Sequence, residues 1–117
     1  MKRTTTIAVD IAKNVFQVAV SKQPGRVAEE HRLSRTRFLR LFAQRQPATV
    51  LLEACGTAHH WARKLRELGH SPILLPVRHV APYRTTNRTD RNDTRALLEA
   101  SRNEKIVPVQ PKADHAT

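Results

Sequence analysis

An intrachain disulfide is closed to this chain: its 117 residues include one cysteine, Cys55, and nothing asks for an oxidising compartment. The cytoplasm is the expected location. Long apolar runs are missing too. The longest stretches, such as Val15 to Val20 and Ile73 to Leu75, are far too short to span a bilayer, and no charged-then-apolar leader precedes a small-residue cleavage site. No membrane association is expected. Acids are scarce as well, with 10 Asp plus Glu against 21 Lys plus Arg and a net charge of +11. A balance that lopsided on a small domain favours a polyanionic partner, with nucleic acid first, although a basic surface also serves solubility. Several of the cations, Arg84, Arg88, Arg91 and Arg95, flank acids instead of forming a detached tail.

What the chain does contain is enough length for one compact domain with a modest core. Thr4 to Asp10 and Val15 to Ser21 are β-branched, apolar-rich runs that predict two antiparallel strands across Ile11-Ala12-Lys13-Asn14. Gln23-Pro24-Gly25 signals a turn, and the alternating Arg26 to Arg32 segment fits a third, more exposed edge strand. Ser34 can cap a helix running to about Gln44, with Phe38, Leu39, Leu41 and Phe42 as its apolar face and Pro47 barring continuation.

Beyond Pro47 the rhythm changes to strand, helix, strand, helix: Thr49 to Glu53, Ala58 to Leu68, Ser71 to Leu75 and Asp90 to Arg102. Such alternation implies parallel pairing. Trp61, Leu65 and Leu68 recur at helical spacing, and Gly69 sits where a left-handed C-terminal cap belongs. Val77 to Arg88, between Pro76 and the last helix, reads as an ordered basic loop or short helical turn. The segment after Arg102, with Pro108 and Pro111, suggests an extended, poorly anchored end. Residues 1–109 form the expected domain and 110–117 the tail.

Four of the few acids occupy informative positions. Asp10 follows Ile7-Ala8-Val9 and Glu53 follows Val50-Leu51-Leu52, so each lies at the carboxyl end of a predicted core strand, where ligands gather in open α/β sheets. Asp90 and Asp93 share one face of the last helix, and Ala96, Leu97 and Ala100 continue that face toward the sheet. Magnesium takes oxygen ligands and keeps several waters, so a few converging carboxylates suffice for a phosphodiester-cutting metal pair. Singly, each acid has a plainer reading: Asp90 can complement the helix dipole, and an Asp after a strand can be a turn residue.

Other reactive residues invite weaker readings. Cys55 has His59 four residues on, yet a buried, inert thiol behind the strand is the expectation. His59 and His60 point about 100° apart on a helix and do not readily share one ion; a structural or phosphate-contacting role is favoured. Trp61 belongs to an apolar face and is expected in the core.

The ordered set of a strand ending in Asp10, the Leu52-Glu53-Ala54-Cys55-Gly56-Thr57-Ala58-His59-His60-Trp61-Ala62-Arg63 string, Leu68-Gly69-His70, Leu75-Pro76 and Arg88-Thr89-Asp90-Arg91-Asn92-Asp93 closely resembles the N-terminal domain of DEDD-type transposases of the insertion-sequence-110 family. The resemblance covers residues 4 to 109. It implies an α/β, RNase H-like (RuvC-like) fold: a mixed five-stranded sheet, with an antiparallel meander followed by parallel strands and flanking helices. It also implies that Asp10, Glu53, Asp90 and Asp93 bind Mg2+, with Mn2+ as a substitute, for strand cleavage and exchange. DNA and a structured bridge RNA are the implied partners, with a second copy or a full-length transposase also in view.

Two departures stand out. Thr94 takes a position where family members usually carry Ala. Complete members continue into a second domain with a nucleophilic serine, which Ser21, Ser34, Ser71 and Ser101 do not match, so the expectation is a domain, truncated product or decayed remnant. A stand-alone junction nuclease and a noncatalytic nucleic-acid-binding fragment are the alternatives. An actin-like ATPase is disfavoured because Ile11-Ala12-Lys13-Asn14 lacks a glycine for close phosphate approach.

Overall fold

The computed structural model describes residues 5–12, 14–24, 26–84, 90–103 and 105–109, with only the backbone described at 90–93. Five strands form one sheet: β1 (Thr6–Ile11), β2 (Phe16–Ser21), β3 (Glu29–Leu33), β4 (Thr49–Glu53) and β5 (Ser71–Leu75). Their order is β3-β2-β1-β4-β5, antiparallel across β3, β2 and β1 and parallel across β1, β4 and β5. The helices are α1 (Arg35–Gln44), α2 (Ala58–Glu67), the single turn α3 (Val77–Val80), which runs into a 3-10 turn (Ala81–Tyr83), and α4 (Asp90–Ser101). The predicted meander and the parallel half are both present. The third strand begins later than the predicted Arg26, which instead makes an isolated bridge with Gln23.

Period-two alternation sorts the sheet into two unlike faces. Ile7, Val9, Val18, Val20, Val50, Leu52 and Leu74 pack with Phe38, Phe42, Trp61 and Leu65, which places α1 and α2 on one side. Phe16 stacks on Phe38 with centroids 4.3 Å apart and meets Trp61 edge-on at 5.0 Å, so three aromatics lock both helices to β2. On the other side Ala8, Leu51 and Leu75 meet Ala96, Leu97 and Ala100 of α4. Ala8 lies opposite Ala19, and both are fully buried, so small side chains on sheet and helix let α4 approach closely. Thr94, the departure from the family pattern, is also fully buried in that layer.

Local signals explain the helix limits. The Ser34 hydroxyl accepts from the Arg37 N–H at 3.4 Å, as its capping position predicts. At the end of α2 the His70 N–H donates to the Leu65 carbonyl and the Gly69 N–H to the Arg66 carbonyl, both at 3.0 Å, with Gly69 at φ 92°. This pair of hydrogen bonds is a Schellman motif, which needs the left-handed residue glycine supplies. The helix therefore stops at Glu67, and Leu68, expected on the apolar face, is 37% exposed.

His70 carries a clamp that nothing in its spacing announced. Its ring is 3% exposed; Nδ1 accepts from the Ala48 N–H at 3.1 Å and Nε2 donates to the Phe42 carbonyl at 2.7 Å. One side chain thus satisfies buried backbone groups before β4 and within α1. The chain beyond α4 is better anchored than expected: the Val109 N–H donates to the Leu74 carbonyl at 2.7 Å, because Val109 finds the open edge of β5. Residues 110–117, read as a tail, lie outside the described residues. Among the described residues, no helix is long and apolar enough to cross a membrane.

Candidate acidic site at the strand edge

The site begins with register. Val9 on β1 is opposite Leu52 on β4, and the next residue on each strand is an acid, Asp10 and Glu53. Because side chains alternate, both acids project to the face of Ala8 and Leu51, the side that α4 covers. Parallel pairing puts the two at the same edge of the sheet. β1 extends one residue past Asp10, which lies opposite Gln17, so Asp10 belongs to the strand and is not a turn residue.

The direction of α4 follows from its contacts. Leu98, Ser101 and Arg102 at its C-terminal end line a cleft with Thr6, Ser21 and Gln23, at the far end of the sheet from Asp10. Arg95, one turn nearer the N-terminus, reaches Glu30 at 3.9 Å, and Glu30 lies opposite Ala19, which lies opposite Ala8. The helix therefore runs antiparallel to β1. With a rise of about 1.5 Å per helical residue, the backbone of 90–93 stands roughly 3–7.5 Å beyond Arg95. Asp10 is about 6.6 Å beyond Ala8 along β1, in the direction in which the N-terminal end of α4 lies. The side chains of Asp90 and Asp93 lie outside the described residues, as do that of Arg91 and all of Arg88.

Glu53 has a partner of opposite charge. Its Oε2 accepts a short hydrogen bond from Arg84 Nη2, with the two side chains 24% and 11% exposed. Arg84 directly follows the 3-10 turn, so the α3 region, an ordered helical turn as one of its two readings allowed, serves to deliver a guanidinium to the acidic edge. Spacing could not reveal this pair, since 31 residues separate its members.

The loop entering α2 borders the same edge. The Ala54 N–H donates to the Leu75 carbonyl at 2.8 Å, fixing the exit from β4. Cys55, expected to be buried, is exposed, with Sγ 3.7 Å from Thr57 Oγ1. The chain turns outward immediately after Glu53, which carries the thiol away from the core. Trp61 is buried as expected, and the adjacent His60 ring meets it edge-on at 5.0 Å. Among the described residues, no three His, Cys, Asp or Glu side chains converge as a metal-holding group.

No family model matches the chain. It is 37% identical over 112 residues to the transposase for insertion sequence element IS1111A of Coxiella burnetii, covering 96% of this chain and 31% of that protein. A probable family 20 transposase of Pseudomonas aeruginosa is 38% identical over 112 residues, covering 94% of this chain and 33% of its own length. The transposase for insertion sequence element IS1328 of Yersinia enterocolitica is 30% identical over 114 residues, at 97% and 34%. Among solved structures, T. thermophilus RuvC in complex with a Holliday junction substrate superposes with a TM-score of 0.60 at 10% identity, covering 91% of this chain and 99% of that one.

The chain has a RuvC-like fold and is homologous over nearly all of its length to transposases of insertion sequence elements. Its fold is α/β and RNase H-like, as the resemblance implied. This transposase homologue spans about a third of the length of the curated relatives it matches.

Proposed function

We propose that residues 1–109 form the acidic catalytic domain of a DNA transposase, in which Asp10 and Glu53, joined by Asp90 and Asp93, hold Mg2+ for cleavage and exchange of DNA strands. The observation that carries this reading is the Val9–Leu52 register, which sets two acids side by side at one edge of neighbouring parallel strands in a transposase homologue.

The donor chemistry fits the ion. Carboxylate oxygens on rigid strands are hard ligands, and magnesium needs few of them because it retains waters. The two further ligands are assigned to the first turn of α4, the end of that helix that points toward the strand edge. When bound, the metal supplies charge stabilisation at the scissile phosphate. The protein groups do the rest. The strands fix the carboxylate positions, and the small-residue packing of α4 keeps its first turn against the sheet. Arg84 neutralises Glu53 and offers a planar donor fork suited to a phosphate oxygen.

The net charge of +11 supports DNA as substrate and a structured guide RNA as a further partner, with phosphate contacts positioning and base pairing reading sequence. A second copy or a full-length transposase completes the proposed assembly, which acts in the cytoplasm. Titration calorimetry with Mg2+, and with Mn2+ as a probe, tests the site. Binding should be lost in Asp10→Asn and in Glu53→Gln, whereas unchanged binding in both variants would sink the assignment.

A further inference from the structure

We propose that the outer surface of α1 and α2 is a second nucleic-acid surface, which grips the phosphodiester backbone of duplex DNA on the side of the sheet opposite Asp10 and Glu53.

The charge there is predominantly positive. Arg35, Arg37 and Arg40 of α1 and Lys64 and Arg66 of α2 are exposed. The two helices carry a single acid, Glu67, of the 10 in the chain. Both helices belong to one surface, since Arg40 and Lys64 border a shared groove and the Arg35 guanidinium lies 5.6 Å from the centre of the Trp61 ring.

On α1 this arrangement works against helix stability, whereas Lys64 and Arg66 in the last turn of α2 complement its dipole. Arg35 and Arg37 occupy the first turn of α1, where the helix dipole favours acids, and that turn contains none. Arg37 and Arg40 are like charges three residues apart, a spacing that brings them together on the helix surface. An ordinary solvated face would mix signs. A phosphate backbone removes every one of these conflicts at once, by neutralising cations that repel one another in the free protein.

The aromatic side chains bear on the form of the nucleic acid. Binding of single strands relies on exposed aromatic platforms for base stacking, but Phe38, Phe42 and Trp61 all point into the core and His60 is the one exposed ring of the two helices, leaving this face with charge and little to stack on. The surface therefore suits a duplex held by its backbone. It also suits a segment distinct from one lying at the acids, because a helix about 10–12 Å across and the sheet itself stand between. The choice of DNA over RNA duplex rests on the proposed function.

The test uses the full chain and a 20-base-pair DNA of random sequence, with fluorescence anisotropy over a series of salt concentrations. The triple variant Arg37→Gln, Arg40→Gln, Lys64→Gln should bind at least about tenfold more weakly, with a log K against log salt slope shallower by roughly three, the value for three lost phosphate contacts. Its Mg2+ titration should match that of the unmodified chain. Unchanged affinity and slope would overturn the proposal, and a loss confined to RNA duplex of the same sequence would overturn the choice of DNA. A measurement without any variant guards against misfolding: saturating DNA should protect Lys64 from acetylation, and undiminished labelling would also overturn the proposal. Unchanged Mg2+ binding in Asp10→Asn and Glu53→Gln, with these DNA results intact, would remove the catalytic reading and leave this surface standing.

Discussion

Arg84 reaches across 31 residues of sequence to ion-pair with Glu53, the acid that stands beside Asp10 at the strand edge. A guanidinium on a proposed ligand opposes a cation there by charge and by occupying the oxygen. Arg84→Gln should therefore tighten Mg2+ binding by roughly tenfold, since one opposing charge at contact distance is worth at least that much at a partly buried site. Calorimetry decides it: equal or weaker binding would show that Arg84 does not compete with the ion.

His70 offers a stability test away from the acids. Removing its ring orphans the buried Ala48 N–H and Phe42 carbonyl and leaves a void beside Phe42, whose ring meets it edge-on at 5.2 Å. His70→Ala should cost about 2–4 kcal/mol in urea unfolding. A loss below about 0.5 kcal/mol, the range of ordinary surface changes, would rule out the clamp.

Gly69 and Gly56 form a matched pair. A Cβ added at either meets nothing within 4 Å, but Gly69 alone has a positive φ, at 92°. Gly69→Ala should cost about 1 kcal/mol from backbone strain, whereas Gly56→Ala should be neutral or slightly stabilising. Thermal unfolding of the two variants separates the cases, and equal effects would mean that the Schellman turn tolerates a side chain.

Acid should act on the β3 edge through Glu29. The hydrogen bond from His31 at 2.9 Å lowers the Glu29 pKa below its ordinary value of 4.5, partly opposed by burial and reinforced by Arg45 at 2.5 Å. A depressed carboxylate contributes stability above its unfolded pKa and loses it as pH falls through the folded value. Wild type should thus lose stability below about pH 4.5 that Glu29→Gln does not have to lose. The difference should stay under about 1 kcal/mol, because the pair is partly exposed. Parallel acid limbs in the two unfolding profiles would contradict this.

Much of the fold was legible because local pattern and tertiary role coincide. Thr49–Glu53 and Ser71–Leu75 are apolar runs bounded by turn residues, and both strands have the limits their sequences imply. Phe38, Phe42, Trp61 and Leu65 are buried at their helical spacing. The misses come where a distant part of the chain decides. Leu68 fits the period of α2, but the turn at Gly69 ends the helix first and leaves the side chain outside. Cys55 follows a buried strand, yet the chain exits there. Val109 lies in a short Ile-Val-Pro-Val stretch with no strand or helix period of its own, and only the position of β5 gives it a place. Asp10 and Glu53 were legible as strand-end acids. Their shared register needed β1 beside β4, and the Arg84 pairing needed the whole turn after β5.

The bridge from Val109 to Leu74 has a bearing on how this protein behaves at high concentration. β5 is an edge strand of sequence Ser-Pro-Ile-Leu-Leu, apolar enough to recruit a strand from another molecule. Pro72 offers no N–H for such pairing, and the Leu74 carbonyl is already taken. The opposite edge, Glu-Glu-His-Arg-Leu, is protected by its charges. Both margins of the sheet thus discourage strand addition, one by covalent structure and a borrowed residue and the other by electrostatics, which leaves self-association to surfaces other than the sheet edges.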